Sequence, residues 1–408
     1  MIDNKIITTC CITGGGPAGM MLGYLLARAG IEVVVLEKHA DFFRDFRGDT
    51  IHPSTMQLMS ELGLLNEFLK IPHQELTSFT AVFKDTSIKI ADFTHLKVVK
   101  PVLGLMPQWD FLNFIAKHAS GYATFKLLMN TAATDIVKQG GRVIGINAAT
   151  KDGPLQVFAD IVIATDGRHS LLREKAALKV IKTGAPIDVL WLRVSRQERD
   201  PAQILGRFAY GKVMVMLDRD SYWQCAYVIE KGGYDKIKQK GFESLKQDIT
   251  SVAPFLADRI NELKGWDDIK LLAVDIDHLE KWYTNGLLCI GDAAHAMSPI
   301  AGVGINLAIQ DAVATANILY KSLREKKIIR EDTLAHVQKR RGLPTRIIQK
   351  MQVLIHNNVI YKKISEKDDQ TPPLIMRVID RFPLLRRVPA WLIGVGFRSE
   401  HIQTPEVK

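Results

Sequence analysis

One stretch near the start, TGGGPAGMMLGYLLARAGIEVVVLEK (Thr13 to Lys38), restricts the possible folds more than any other part of the chain. It follows the apolar run Ile6 to Ile12, places glycines at 14, 16 and 19, and crosses an alanine- and leucine-rich segment to a second apolar run, Val33 to Leu36. This pattern predicts strand, tight turn, helix and strand, a Rossmann-like unit with a GxGxxG turn. Gly14 permits the turn, Gly16 removes the Cβ that would hold a pyrophosphate away, and Gly19 lets the helix lie close on the strand. The helix then aims its N-terminal N–H groups and the positive end of its dipole at phosphates. Glu37 ends the second strand, where a carboxylate accepts hydrogen bonds from both hydroxyls of an adenosine ribose and repels a 2′-phosphate. The ligand expected here is therefore FAD or NAD rather than NADP.

At 408 residues the chain has room for two or three substructures. Helical spacing recurs at Met56, Leu58, Met59, Leu62 and Leu65, strand-like alternation covers 76–104, and a helical pattern returns at 107–119. Strands are expected over 141–149 and 155–167, and again between about 185 and 275, where one helix over 241–263 interrupts them. GLLCIGDAAH then re-enters the nucleotide domain, and everything beyond about 320 reads as helical with proline breaks. The fold class is α/β. A discontinuous Rossmann-like FAD-type domain (1–75, 105–180 and 275–320) holds an inserted β-rich substrate domain (76–104 and 181–274), and a C-terminal helical region spans 321–408.

Three separated motifs, GGGPAG (14–19) with Glu37, ATDGRHS (164–170) with Arg173, and GDAAHAMSPIAGVGIN (291–306), resemble those of the single-component flavoprotein monooxygenases related to para-hydroxybenzoate hydroxylase. The resemblance spans roughly residues 1–320 and rests on the three motifs in this order. It implies tightly held FAD, transient binding of NADPH or NADH, and reaction of the reduced flavin with O2. The C4a-hydroperoxide so formed would hydroxylate an aromatic or polycyclic small molecule. It also implies cofactor roles for Arg47, at the phosphate or ribityl region, and for Asp166 and Gly167, beside FAD and the passing nicotinamide. Gln108 stands where many relatives carry an arginine on the ribityl chain. Pro299 lies by resemblance close to the reacting face, and Asn306 matches a residue near the flavin, although an ordinary helix N-terminal position accounts for it as well. Arg173 is either an anchor of the local turn or a structural salt bridge. His295 receives no catalytic role.

The residues of the third motif also have a reading of their own. Asp292 follows the apolar strand Leu287 to Ile290, so its carboxylate can face the cofactor crevice and accept from ribityl hydroxyls. Gly302 and Gly304 let a turn pass beside a flat isoalloxazine, and the helix starting there favours an anionic reduced ring. Substrate contacts are expected from the β-rich insert, with Trp191, Tyr210, Met214 and Trp223 as candidates beside Arg193, Phe208, Met216 and Tyr227.

No second GxGxxG occurs, so NAD(P)H is expected to lack a Rossmann domain of its own. The absence of HExxH, Cys/His zinc spacing and GxSxG removes support for metal and hydrolytic chemistry, and no metal site is expected. The WxWxIP signature of flavin halogenases is also missing. Four cysteines without CxxC spacing suit a reducing compartment, and the N-terminus lacks a signal pattern, so cytoplasmic residence is expected. The net charge of +10 arises wholly after residue 319, in a tail that solvated helix faces, an anionic membrane surface or an acidic partner could explain. Nucleic acid has no recognition motif to support it. A monomer or homodimer is expected. Two other functions stay open: a FAD-dependent reductase of isoprenoid-type double bonds, and a flavin-binding accessory protein.

Overall fold

A computed structural model describes residues 4–43, 50–84, 86–201, 206–361 and 371–407. The two apolar runs at the start form strands Lys5–Thr13 and Val33–Leu36, joined by helix Pro17–Arg28. They lie in an eight-stranded sheet whose parallel part runs in the order Leu287–Cys289, Gly153–Ala164, Lys5–Thr13, Val33–Leu36, Phe125–Leu128. These strands are nearly continuous in Val, Ile, Leu and Cys because both faces of a parallel sheet are covered. Helices Pro17–Arg28, Gln108–Ala119 and Val303–Arg324 share the sheet's core, with Ile12, Leu22, Phe111, Ile163 and Ile309 fully buried. An antiparallel extension, Arg142–Thr150 and Ala132–Gln139, continues from Gly153–Ala164.

A second, seven-stranded sheet has the order Lys270–Leu272, Ile187–Ser195, Tyr222–Glu230, Lys212–Asp218, Gly206–Ala209, Ser78–Phe83, Thr86–Asp92. One face buries Leu190, Met214, Met216, Trp223, Cys225 and Tyr227 against helix Phe242–Val252 and the turns up to Leu263. Side chains alternate along each strand, so Trp191, Val215 and Ala226 fall on the opposite face. That face meets Ala301 and Ile393.

The helix expected over 241–263 stops at Val252. Ala253 leaves the helical conformation before Pro254, whose ring disfavours that conformation in the preceding residue, and only short turns follow. Pro344, by contrast, does not break its helix: Glu331–Ile355 runs through it, with the proline buried in the interface. The helical run ends at Gly394, and the tail beyond it is tied to the first helix of the chain. Arg28 donates to the Thr404 carbonyl at 3.0 Å and accepts from Val407 N–H at 2.8 Å.

Candidate active site

The sequence motifs meet because the strands that carry them are neighbours in one parallel sheet. Thr13 is in register with both Ala164 and Leu36, and Ala164 with Cys289. The GGGPAG turn, the Asp166-Gly167 turn, Glu37 and Asp292 therefore sit side by side at the carboxyl ends of four adjacent strands, where open α/β sheets bind ligands. Gly14 has φ +103°, and a Cβ there would stand 2.4 Å from the Thr165 carbonyl oxygen. Thr165 closes this turn by donating to the Thr13 and Gly14 carbonyls at 2.8 and 2.7 Å. A Cβ on Gly19 would lie 2.0 Å from the Gly14 oxygen, so that glycine sets the helix-to-strand approach. Gly16 differs: nothing lies within 4 Å of its Cβ position, which leaves the opening of helix Pro17–Arg28 clear, and the helix's first turn holds no acidic side chain. An anion such as a pyrophosphate fits that opening.

Glu37 is buried and accepts Gly15 N–H at 2.9 Å on one carboxylate oxygen and His39 N–H at 3.0 Å on the other. A carboxylate accepts several hydrogen bonds, so a group at this strand end is of the right type to take ribose hydroxyls. Asp166 accepts Leu172 N–H at 3.2 Å through Oδ2, while Oδ1 is buried with no hydrogen-bond partner among the described residues. Burial pushes this carboxyl above its usual range despite hydrogen bonds from Ser170 and the local backbone. A buried acceptor left open in this way is a place for a ligand donor. Gly167 is left-handed, with open space at its Cβ position. Asp292 is part-exposed and 3.6 Å from Arg168. Gln108 is the half-buried first residue of helix Gln108–Ala119. Arg47 lies outside the described residues.

The loop ending the third motif is held in an unusual backbone shape. Ala301 and Gly302 are both left-handed, and a Cβ on Gly302 would meet Thr50 Oγ1 at 2.5 Å. Pro299 begins this turn, and helix Val303–Arg324 starts immediately after it. Gly304 has no such steric demand, its nearest neighbour being Met297 Cβ at 3.8 Å. Asn306 is fully engaged. Its Oδ1 accepts from His52 N–H and Thr55 Oγ1 at 2.9 and 2.7 Å, and its Nδ2 donates to the Thr50 and Gly302 carbonyls at 3.0 and 3.3 Å. It is a clamp between the loop and the segment 50–55.

The C-terminal helix grips the same loop from behind, which the sequence reading missed. Gln352 accepts Ser298 N–H at 3.1 Å and donates to the Ser298 and Ile300 carbonyls at 2.9 and 3.2 Å. His356 Nε2 lies 2.8 Å from Ser298 Oγ, and Gln349 donates to the Asp277 and Ala296 carbonyls at 2.7 and 3.1 Å. The spacing 349, 352, 356 puts all three on one helix face, a weak signal inside a basic segment. His52 was missed too. Its Nδ1 is 2.7 Å from the Ile393 carbonyl and its Nε2 is 3.1 Å from that of Ala301. Burial pushes the ring's pKa down to about 4 against the pull of these carbonyls, and burial does the same to His356.

His295 is buried on Asp311 at 2.6 Å, and Arg341 reaches the other carboxylate oxygen at 3.0 Å. Burial raises the Asp311 carboxyl, but the hydrogen bonds and charge of its His295 and Arg341 partners outweigh it and the net shift is downward. Arg173 is a buried salt bridge to Asp277 at 3.4 Å and also donates to the Arg168 carbonyl.

The substrate candidates divide. Trp191 stands on the sheet face that packs toward Ala301. Met214 and Trp223 must be corrected: both are fully buried on the opposite face under helix Phe242–Val252, where Trp223 donates to Asp200 at 2.7 Å. Tyr210 is corrected as well. With Gly211 it forms the two-residue turn between Gly206–Ala209 and Lys212–Asp218, with positive φ at both positions, and its side chain is exposed. The Trp191 face carries Val189, Val215 and Ala226, with Phe208, Val213 and Val228 grouped beside Ile300, Ile355 and Ile360. A cleft of about 460 Å³ opens at the edge of this sheet, lined by Trp109, Arg193, Arg219, Tyr222, Gln224 and Lys270 among others. Among the described residues no cluster of His, Cys, Asp and Glu could hold a metal ion.

Residues 7–349 match a protein family described as FAD binding domain. The chain is 30% identical over 349 residues to 6-methylpretetramide 4-monooxygenase of Streptomyces rimosus, which covers 85% of this chain and 83% of that protein. Among solved structures, the anhydrotetracycline hydroxylase OxyS of S. rimosus superposes with TM-score 0.75 at 18% identity, covering 95% of this chain and 76% of that one. The P. aeruginosa protein PqsL, in complex with 2-aminobenzoylacetate, also gives 0.75 at 21% identity, covering 88% of this chain and 99% of that one. The glycine turn, the open acceptor on Asp166 and the paired acceptors on Glu37 fit the cofactor of this family, and the chain belongs to the FAD-binding domain family of FAD-dependent monooxygenases.

Proposed function

We propose that this protein is a single-component hydroxylase of aromatic or polycyclic small molecules that uses FAD, O2 and NADPH or NADH. The observation that carries the reading is convergence: three motifs far apart in sequence lie together at the carboxyl ends of adjacent strands, with an apolar sheet face across the Pro299–Gly302 loop. FAD held by these residues would supply the redox chemistry: acceptance of a hydride from the nicotinamide and activation of O2, of which one atom would go to an electron-rich carbon of the substrate and the other to water.

The chain's own residues bind, orient and exclude. Backbone N–H groups from Gly16 onward bind the pyrophosphate, and Glu37 accepts from the adenosine ribose. Asp166 Oδ1 and Asp292 offer acceptors to the ribityl hydroxyls, with Gly167 giving them backbone room and Gln108 adding an amide. The first turn of Val303–Arg324, following Gly302, carries the positive end of a helix dipole and would favour negative charge on a ring held beside it, by about 0.3–2 kcal/mol. Trp191, Val215 and Ala226 provide a flat apolar wall that holds a ring system and keeps water away from the reacting face. That the 6-methylpretetramide monooxygenase is a relative supports a polycyclic substrate. With one Rossmann unit in the chain, the nicotinamide visits the FAD site transiently. All four cysteines are buried free thiols, and a cytoplasmic location suits them.

The test is a panel of phenolic and fused-ring compounds incubated with flavin-loaded protein, NADPH or NADH and isotopically labelled O2. Incorporation of one labelled atom into a product, with one nicotinamide oxidised per O2 consumed, is the expected result. Nicotinamide oxidation without O2 uptake, with reduction of a carbon–carbon double bond, would replace this reading by a reductase.

A further inference from the structure

Among the described residues seventeen large apolar side chains are exposed, and eight of them fall between Leu374 and Trp391. Leu374, Leu384 and Val388 are 69%, 69% and 63% exposed, and Phe382 and Trp391 stand beside them. This is not a badly placed core, because the inner side of the same segment is firmly seated. Asp380 accepts Lys89 N–H at 3.0 Å, which fastens helix Leu374–Arg381 to the edge strand Thr86–Asp92. Ala390 is fully buried, and a Cβ on Gly394 would stand 2.8 Å from Leu96 Cδ1, so helix Arg387–Gly394 is pressed against the body. The outer side therefore presents a concentrated apolar strip that the described residues leave uncovered, larger than isolated surface residues explain.

The strip is flanked by charge of one sign. Arg377, Arg381 and Arg387 are exposed along it, while Asp380, the single acid of the segment, is occupied by Lys89 N–H and Arg386. A second copy of the chain docking here about a twofold axis would bring these arginines against their own kind. An anionic lipid surface satisfies both features, since acyl chains accept Leu, Phe and Trp side chains while headgroup phosphates pair with arginine. We propose that residues 374–391 form a peripheral docking surface for an anionic phospholipid bilayer, lying in its interface. No described helix is long and apolar enough to cross a membrane, so attachment is from one side. The helix Arg387–Gly394 that would rest on lipid also touches the site: Ile393, on its inner side, gives its carbonyl to His52.

The test is co-sedimentation of the flavin-loaded full chain with vesicles of phosphatidylcholine alone or mixed with phosphatidylglycerol. Binding is expected only to the mixed vesicles, weakened by salt. It should fall about fivefold for each of Arg377→Gln, Arg381→Gln and Arg387→Gln, and roughly tenfold or more for Leu384→Ser combined with Val388→Ser. Flavin content and melting temperature report whether each variant is folded. Quenching of wild-type tryptophan fluorescence by brominated acyl chains, lost in Trp391→Phe, reads insertion without relying on a destabilised variant. Equal binding to both vesicle types, binding to neither, or concentration-dependent dimerisation abolished by Leu384→Ser would each overturn the proposal.

Discussion

Glu37 engages both carboxylate oxygens with backbone N–H groups of its own loops before any ligand arrives, so it builds the ribose site as well as serving it. Glu37→Ala strands two donors and removes two acceptors, and FAD binding should weaken by about 1–3 kcal/mol, measured by quenching of flavin fluorescence on titration. The two faces of the second sheet make an opposite pair of expectations. Met214→Ala should lower unfolding free energy in urea by about 2–5 kcal/mol and leave substrate affinity unchanged, because it empties a core position. Val215→Trp, one residue along and on the other face, should alter which ring compounds are accepted. His52 and His356 each contribute to the pH dependence of stability. An unfolded histidine takes a proton near pH 6.5, whereas these two resist until about 4, so each contributes stability that is complete above about pH 6.5 and lost as pH falls toward 4. At pH 5 the loss should be about 2 kcal/mol for each, visible as a falling urea midpoint that His52→Asn flattens. Asp311 acts in a lower window, its depressed carboxyl giving stability above the ordinary carboxylate range that is lost on protonation in stronger acid.

At the scale of elements, the loop Pro299–Gly302 is shaped by three separate pieces: the 50–55 segment through Asn306, helix Glu331–Ile355 through Gln352, and helix Arg387–Gly394 through His52. Two consecutive left-handed residues are held in place by these contacts, since local preference alone would not keep Ala301 there. Gln352→Leu leaves the Ser298 N–H and the Ser298 and Ile300 carbonyls without their partner. We expect a stability loss of about 1–3 kcal/mol and a larger share of reducing equivalents released as hydrogen peroxide, read by a peroxidase-coupled assay. The glycine turn was legible in the sequence because its requirements are local: a positive φ at Gly14 and a close carbonyl admit only glycine. Which face of the second sheet looks toward the site was not legible. Alternation fixes which residues go together, but the turn at Tyr210 and Gly211 and the helix packed beneath decide which set is buried. Gln352 escaped notice for a related reason, as one amide on a basic helix carries no periodic signal until its partner loop is in place.

For the whole molecule, the apolar runs indicated the strands, and their parallel order, which brings Gly14, Asp166 and Asp292 together, emerged only on folding. The excess positive charge after residue 319 looked like a tail. In the fold, helix Glu331–Ile355 of that region packs behind the Pro299–Gly302 loop, with Arg341 buried on Asp311, which also accepts Gly291 N–H of the GDAAH turn. Charge composition registers how many arginines there are, and only packing shows that one of them is a buried pair while others surround an apolar strip. The most direct measurement is rapid mixing of the anaerobically reduced, flavin-loaded protein with oxygenated buffer, followed by absorbance with and without phenolic and fused-ring ligands. A transient species absorbing between the reduced and oxidised flavin spectra, longer-lived when a ring compound is bound, is the expected result. Direct return to the oxidised spectrum under every condition, with no hydroxylated product, would contradict a monooxygenase.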